Sequence, residues 1–193
     1  MNQEKLEKNI TVCTKENPNN LDRFPYFKGM KELSPIIDNI PQYSIRNFVV
    51  TAFAKYVPPE FWILPASMSG KFHPDMDKGL GGLVRHTKAD CLVALDLFPL
   101  YPGFDEYHQS LILAALLLHD ICKPDILHPI QVAKQLWPLR GYDFYPTIIN
   151  LIESHMGQWD QKGKLPRPKT NIQKFVHLCD YIASRNDISL KLY

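Results

Sequence analysis

The sequence predicts an all-α fold, and three observations carry that expectation. Apolar residues recur at three- and four-residue spacing in successive segments from Ile45 to Ser184. No stretch alternates apolar and polar residues over the length of a strand. No internal repeat is present. The expected architecture is a helical bundle with a short N-terminal helical extension.

Residues 1–30 are polar and turn-rich (ENPNN, FPYFKG) and read as an irregular arm. From 31 to 64, Pro35, Pro41, Pro58 and Pro59 divide the chain into short helical patterns. Ser44 is placed as N-cap of a helix over Ile45–Tyr56, where Ile45, Phe48, Val49 and Phe53 share a face and Pro58 forces the stop. Residues 1–60 are therefore read as arm plus extension, and 61–193 as the main domain. Pro65–Gly82 holds four of the nine glycines and is expected to be loop. Leu83–Phe98 follows as a helix ended by Pro99. Glu106–Ile121 is apolar nearly all round from Leu111, as a central buried helix requires. Pro129–Leu136 opens on a first-turn proline. Tyr145–Met156 turns Ile148, Ile149, Leu151 and Ile152 inward, and Asn171–Ser184 carries Ile172, Phe175, Val176, Cys179 and Ile182 on one stripe. Between these two, Gln158–Thr170 is a basic loop punctuated by Gly and Pro.

Composition bounds the function. A chain of 193 residues suits one well-packed domain. A net charge of +2, with 45% hydrophobic and 22% charged residues, excludes a disordered or strongly polyanion-seeking chain. Cys13, Cys91, Cys122 and Cys179 form no C-x-x-C pair, so neither a thiolate zinc site nor a disulfide framework is expected. Free thiols and the absence of an apolar run near the N-terminus point to a cytoplasmic protein. The longest apolar run, Leu111–Leu118, is far short of the ~18 residues of a membrane span, and no membrane partner is expected.

All seven histidines lie between His73 and His177. The most informative is His119, which with Asp120 ends the apolar helix in LLLHDICK. Burying an imidazole and a carboxylate is costly without partners. An arginine or a backbone amide could serve, and so could a metal. His86 in GGLVRHT and Asp180 in VHLCDYIASR favour the metal, because side chains on facing helices can converge in a bundle interior. Two imidazoles and two carboxylates suit a transition metal or zinc better than calcium.

GGLVRHT, LLLHDICK, IESHMGQW and VHLCDYIASR together resemble the ordered motifs of the HD superfamily of metal-dependent phosphohydrolases. The resemblance spans about residues 61–187. PAS…KFHP upstream and SHMGQW…RPKT downstream look most like the HD domain of bacterial 3′→5′ exoribonucleases that carry an OB-fold, and like stand-alone phage and prokaryotic relatives. With no OB-like strands before residue 61, the chain is more similar to the stand-alone kind.

The resemblance implies one or two divalent ions, with Mn, Fe, Co, Ni, Zn and Mg all open. It makes His86, His119, Asp120 and Asp180 the ligands of a first metal and adds His128 and His155 for a second, with Asp120 bridging. Cys122 stands where relatives often have glycine, while Lys123 is kept. Asp120 and Lys123 are thus the expected catalytic residues, Lys123 as a phosphate clamp. His73, Lys169 and Arg185 are further candidates for substrate contact, although Arg185 could instead pair with Asp187. His177 either orients a ligand or simply packs. His108 reads as a surface histidine, and Lys162, Lys164, Arg167 and Lys174 as a basic surface that could track phosphates.

The implied activity is hydrolysis of a phosphoester of a nucleotide or short oligonucleotide by metal-activated water. Neither a G-x-S-x-G nor a Walker pattern suggests a competing chemistry. A cyclic-dinucleotide phosphodiesterase or mononucleotide phosphatase is the alternative within the class. Outside it stands a non-catalytic nucleotide- or RNA-binding module.

Overall fold

The structure, a computed structural model, describes residues 24–67, 73–157 and 163–187. The arm over 1–23 and Lys162 of the basic loop lie outside the described residues. Among the described residues there are seven α-helices and no strand. They are α1 (Phe24–Asp38), α2 (Tyr43–Lys55), α3 (Gly82–Leu97), α4 (Glu106–Leu118), α5 (His128–Gln135), α6 (Tyr145–Ser154) and α7 (Asn171–Ala183). The fold is all-α, as expected.

Two local expectations fail at the N-terminal end. Phe24–Met30, read as irregular arm, forms the first turns of α1, and Pro35 sits inside that helix. Leu33, Ile36, Ile37 and Ile40 are all buried, so the apolar stripe outweighs the turn-forming residues. Gly29 lies against the Trp62 ring, which a side chain there would strike. The chain leaves the helix one turn past Pro35, where Asn39 Nδ2 donates to the Pro35 carbonyl (2.8 Å). Ser44 is not the cap of α2: the N-cap is Gln42, whose backbone N–H donates to Ser110 Oγ on α4 (3.0 Å). A tertiary contact supplies the acceptor that a local hydroxyl was expected to give.

α4 is the central element, with every residue from Ser110 to Leu118 buried. Asp105 caps it by accepting the His108 N–H (2.9 Å). It ends at Leu118 rather than Ile121, leaving His119 and Asp120 in the turn that follows. α3 packs on α4 and α7, α6 on α4 and α5, and α1 and α2 on α3 and α4. One hydrophobic cluster runs from Leu33 to Ala183, so α1 and α2 share the core of the later helices. α7 is held by a capping box between Thr170 and Gln173. No helix among the described residues is long and apolar enough to cross a membrane.

Candidate metal centre

The ends of several helices meet at one buried spot. α3 contributes His86 and Asp90, one turn apart on the same face. The turn after α4 contributes His119, Asp120 and Lys123; α5 opens with His128, α6 is followed by His155, and α7 brings Asp180. His86, Asp90, His119, Asp120, His128 and His155 are all buried.

The side chains fall into two groups around Asp120. In the first, ligand atoms of His86, Asp90, His119 and Asp180 all lie within 4.8 Å of one another. His86 Nε2 is 3.2 Å from Asp180 Oδ1 and 3.5 Å from Asp90 Oδ2, and His119 Nε2 is 3.5 Å from that same Asp90 oxygen. Asp120 Oδ2 faces this group, at 3.3 Å from His119 Nε2 and 3.6 Å from His86 Nε2. In the second, Asp120 Oδ1 is 2.9 Å from His128 Nε2 and 3.8 Å from His155 Nε2. Asp120 therefore stands between the two groups, one oxygen toward each.

Ring orientation is fixed locally for three of the four imidazoles. Nδ1 of His119, His128 and His155 sits 2.7, 2.8 and 2.6 Å from the carbonyl three residues earlier, at Leu116, Asp125 and Ile152. Those carbonyls belong to helix ends or tight turns, where the regular helical partner is missing. With Nδ1–H donated there, each Nε2 is turned to Asp120 with its lone pair available. His177 supports the arrangement from α7, donating Nδ1–H to the His155 carbonyl (2.6 Å).

Charge differs sharply across the site. Burial works against a charged His119, but the Asp120 and Asp90 carboxylates outweigh it and raise its pKa to about 9. His86 is likewise raised well above the usual imidazole range, Asp90 and Asp180 overcoming its burial. Burial pushes Asp90 up to about 7 despite the neighbouring imidazoles. Asp120 goes the other way: burial opposes its charge, yet His119 and Lys123 hold it well below the carboxylate range. His155 drops to about 3 through burial and the adjoining His119.

These residues fit a divalent cation. Donors about 2.1 Å from one ion stand roughly 3.0–3.4 Å from each other, close to the 3.2–3.5 Å that separates His86 from Asp180 and Asp90 and His119 from Asp90. Both Asp90 oxygens and Nε2 of His86, His119 and His128 are buried without a hydrogen bond of acceptable geometry. Buried polar atoms are otherwise almost always satisfied, so a set of them gathered around Asp120 fits a cationic partner. Mixed imidazole and carboxylate donors suit a transition metal, zinc or magnesium ion rather than a thiolate-bound one.

The remaining sequence candidates divide. Lys123 reaches the centre, with Nζ 2.5 Å from Asp120 Oδ2 and 3.2 Å from the Ala66 carbonyl. His73 stands at the rim, its ring 4.7 Å from that of His86. Lys169 is not brought in: it precedes α7, about 16 Å along the helix axis from Asp180. Arg185 turns away and forms a two-pronged pair with Asp187 (2.9 and 3.2 Å). His108 stays apart, paired with Asp105. Cys122, beside the ligands, is a half-buried thiol pushed up to about 11 by burial and Asp125. Asp90 and Asp77 are not among the residues the sequence pattern picks out. Asp90 carries a signal, its i, i+4 spacing from His86; Asp77 lies in the glycine-rich loop, where nothing in the pattern marks it.

A buried, all-helical centre of mixed histidine and aspartate ligands is thus the class of site that fold and geometry define. The family model described as HD domain matches residues 91–185, so this segment of the chain is similar to the HD domain. The matched segment includes His119, Asp120, His128, His155 and Asp180, and begins just after His86 and Asp90. No curated protein and no solved structure matched.

Proposed function

We propose that this protein is a metal-dependent phosphohydrolase that cleaves a phosphoester of a nucleotide or short oligonucleotide. The observation that carries the reading is Asp120, whose two carboxylate oxygens face two separate groups of imidazoles at the end of one buried helix. The HD match and the resemblance of the four ordered motifs support the reaction class. The similarity of the flanking segments to an exoribonuclease HD domain supports the nucleotide substrate.

His86, Asp90, His119, Asp120 and Asp180 would hold one divalent ion, and Asp120, His128 and His155 would be available to a second. An ion held there supplies Lewis acidity toward a phosphoryl oxygen and lowers the pKa of a bound water. The protein's own part is positioning and charge. The carbonyl-locked rings keep their Nε2 atoms in place before any ligand arrives, so little reorganisation remains. Lys123 adds a cation beside Asp120 that would pair with a phosphate oxygen. Burial of the ligands keeps bulk water from screening these charges.

The test is metal analysis of purified protein, followed by turnover assays on nucleotide and oligonucleotide phosphoesters with each candidate ion. Asp120→Ala is expected to lose bound metal and turnover together, and an Asp120→Ala protein that remains active would overturn the mechanism. Activity on oligonucleotides that falls steeply with salt supports a phosphate-tracking surface, whereas salt-insensitive turnover supports a mononucleotide pocket.

A further inference from the structure

His86 is the exception among the four imidazoles. It is the fifth residue of α3, where the carbonyls three and four positions earlier belong to the helical ladder. It therefore cannot lock its ring on its own backbone as His119, His128 and His155 do, and its Nδ1 needs an acceptor from elsewhere. The group facing that nitrogen is Asp77, with Oδ2 3.5 Å from His86 Nδ1. Asp77 is 1% exposed, and both its other carboxylate oxygen and His86 Nδ1 are buried without a hydrogen bond of acceptable geometry, which leaves Asp77 facing an imidazole nitrogen in need of an acceptor.

The loop that carries Asp77 is built to hold it there. Gly82 opens α3, and a side chain at that position would strike the Asp77 backbone carbonyl, so glycine alone permits the close approach. That same carbonyl accepts the Ala66 N–H (3.1 Å). Arg85, the residue before His86, grips the loop three times. Its guanidinium donates to the carbonyls of Met76, Leu80 and Lys78. His73 closes the outer side: its Nδ1 is 3.4 Å from the same Asp77 oxygen, and its ring stands edge-on to His86.

We infer that Asp77 is a positioning residue for His86: its carboxylate takes the Nδ1–H and so aims Nε2 at Asp90 and Asp180, with His73 shielding the contact from solvent. The inference rests on the metal reading given above for its consequence, but not for the contact itself. A carboxylate behind a ligating imidazole fixes the tautomer and makes the ligand nitrogen more basic, and losing such a partner typically lowers metal affinity about 10- to 100-fold.

The experiment compares wild type with Asp77→Ala, Asp77→Asn and His73→Ala. Zinc affinity is measured by chelator competition, and ¹⁵N-histidine NMR is recorded with and without zinc. Asp77→Ala is expected to weaken zinc binding about 10- to 100-fold and to shift the His86 Nδ1–H resonance upfield even in zinc-free protein. Asp77→Asn keeps an acceptor oxygen and is expected to restore most of both. His73→Ala is expected to leave the Nδ1–H resonance in place but speed its exchange with water. Circular dichroism and thermal melting identify a variant that has merely lost its fold, and Asp77→Asn then carries the comparison. An Asp77→Ala protein that is folded, with unchanged affinity and an unchanged His86 resonance, overturns the inference. So does an additional bound ion lost in both His73→Ala and Asp77→Ala, which would make Asp77 a ligand. Should wild type bind no metal, the metal reading fails, and the zinc-free resonance still decides whether Asp77 holds His86.

Discussion

The two halves of the metal centre use the same residue types to opposite electrostatic effect. Around His86 and His119, three carboxylates (Asp90, Asp180 and the near oxygen of Asp120) face two imidazoles, and both imidazoles are driven toward the charged form. Around His128 and His155 there is one carboxylate oxygen, Asp120 Oδ1, and the His119 imidazole adjoins His155. There His155 is driven toward the neutral form. Histidine is thus not one kind of ligand in this protein. Local carboxylate count decides whether a proton must be displaced before a metal can bind. The first half has the stronger pull on a divalent cation; the second has the readier lone pairs.

Ligand deletion breaks this comparison most severely. His119→Ala removes a donor from the carboxylate-rich half and is expected to abolish stable metal binding, while His155→Ala is expected to keep one ion per chain. Metal analysis after exhaustive dialysis reads the difference, and equal stoichiometry in the two variants would show that the carboxylate-rich half is not the tighter of the two. A less drastic change, Asp90→Asn, keeps the side-chain volume and removes one negative charge. It is expected to weaken the tighter site by about 10- to 100-fold, read by chelator competition, and to leave the weaker site nearly unchanged.

pH separates the halves in metal-free protein without altering ligand number. His119 has its pKa raised to about 9, so its contribution to stability is fully present below the unfolded imidazole value near 6.5 and is lost as pH rises through 9. His155 is lowered to about 3, so its contribution is present above that unfolded value and is lost as pH falls toward 3. The melting-temperature gap between wild type and His119→Asn should therefore shrink from pH 7 to 10. The gap for His155→Asn should shrink from pH 6.5 to 3. Gaps that move in the same direction would contradict the assigned environments. The smallest effect is expected outside both halves. His108→Ala loses one exposed pair with Asp105 and is expected to leave melting temperature and turnover unchanged within error.

Local pattern along the chain makes much of this legible. Helices α3 to α7 each carry an apolar stripe or an apolar run, and the prolines and glycines between them mark their limits to within a turn or so. His86, His119, Asp120, His128, His155 and Asp180 can be named because ordered motifs preserve their context. Asp90 has no such context although it lies four residues from His86, since an aspartate at helical spacing is as common on a solvated face as beside a metal. Lys169 and Arg185 show the converse: a basic residue near a site in sequence has no fixed direction until the helix end and its local partners are known.

The sequence by itself determined the helical periodicity, the buried central run and the set of ligand-type residues, because each depends on residues close together along the chain. Only the tertiary structure decided where α4 stops, which acceptor caps α2 and which carboxylate stands behind His86. Those outcomes depend on groups dozens of residues apart, or on a loop whose course follows from a glycine against a carbonyl and an arginine gripping three others. Apolar periodicity records which face of a helix is buried, but not which polar atoms meet once it is. In a centre where a nitrogen must face its partner to within a few tenths of an ångström, that meeting is what sets the chemistry.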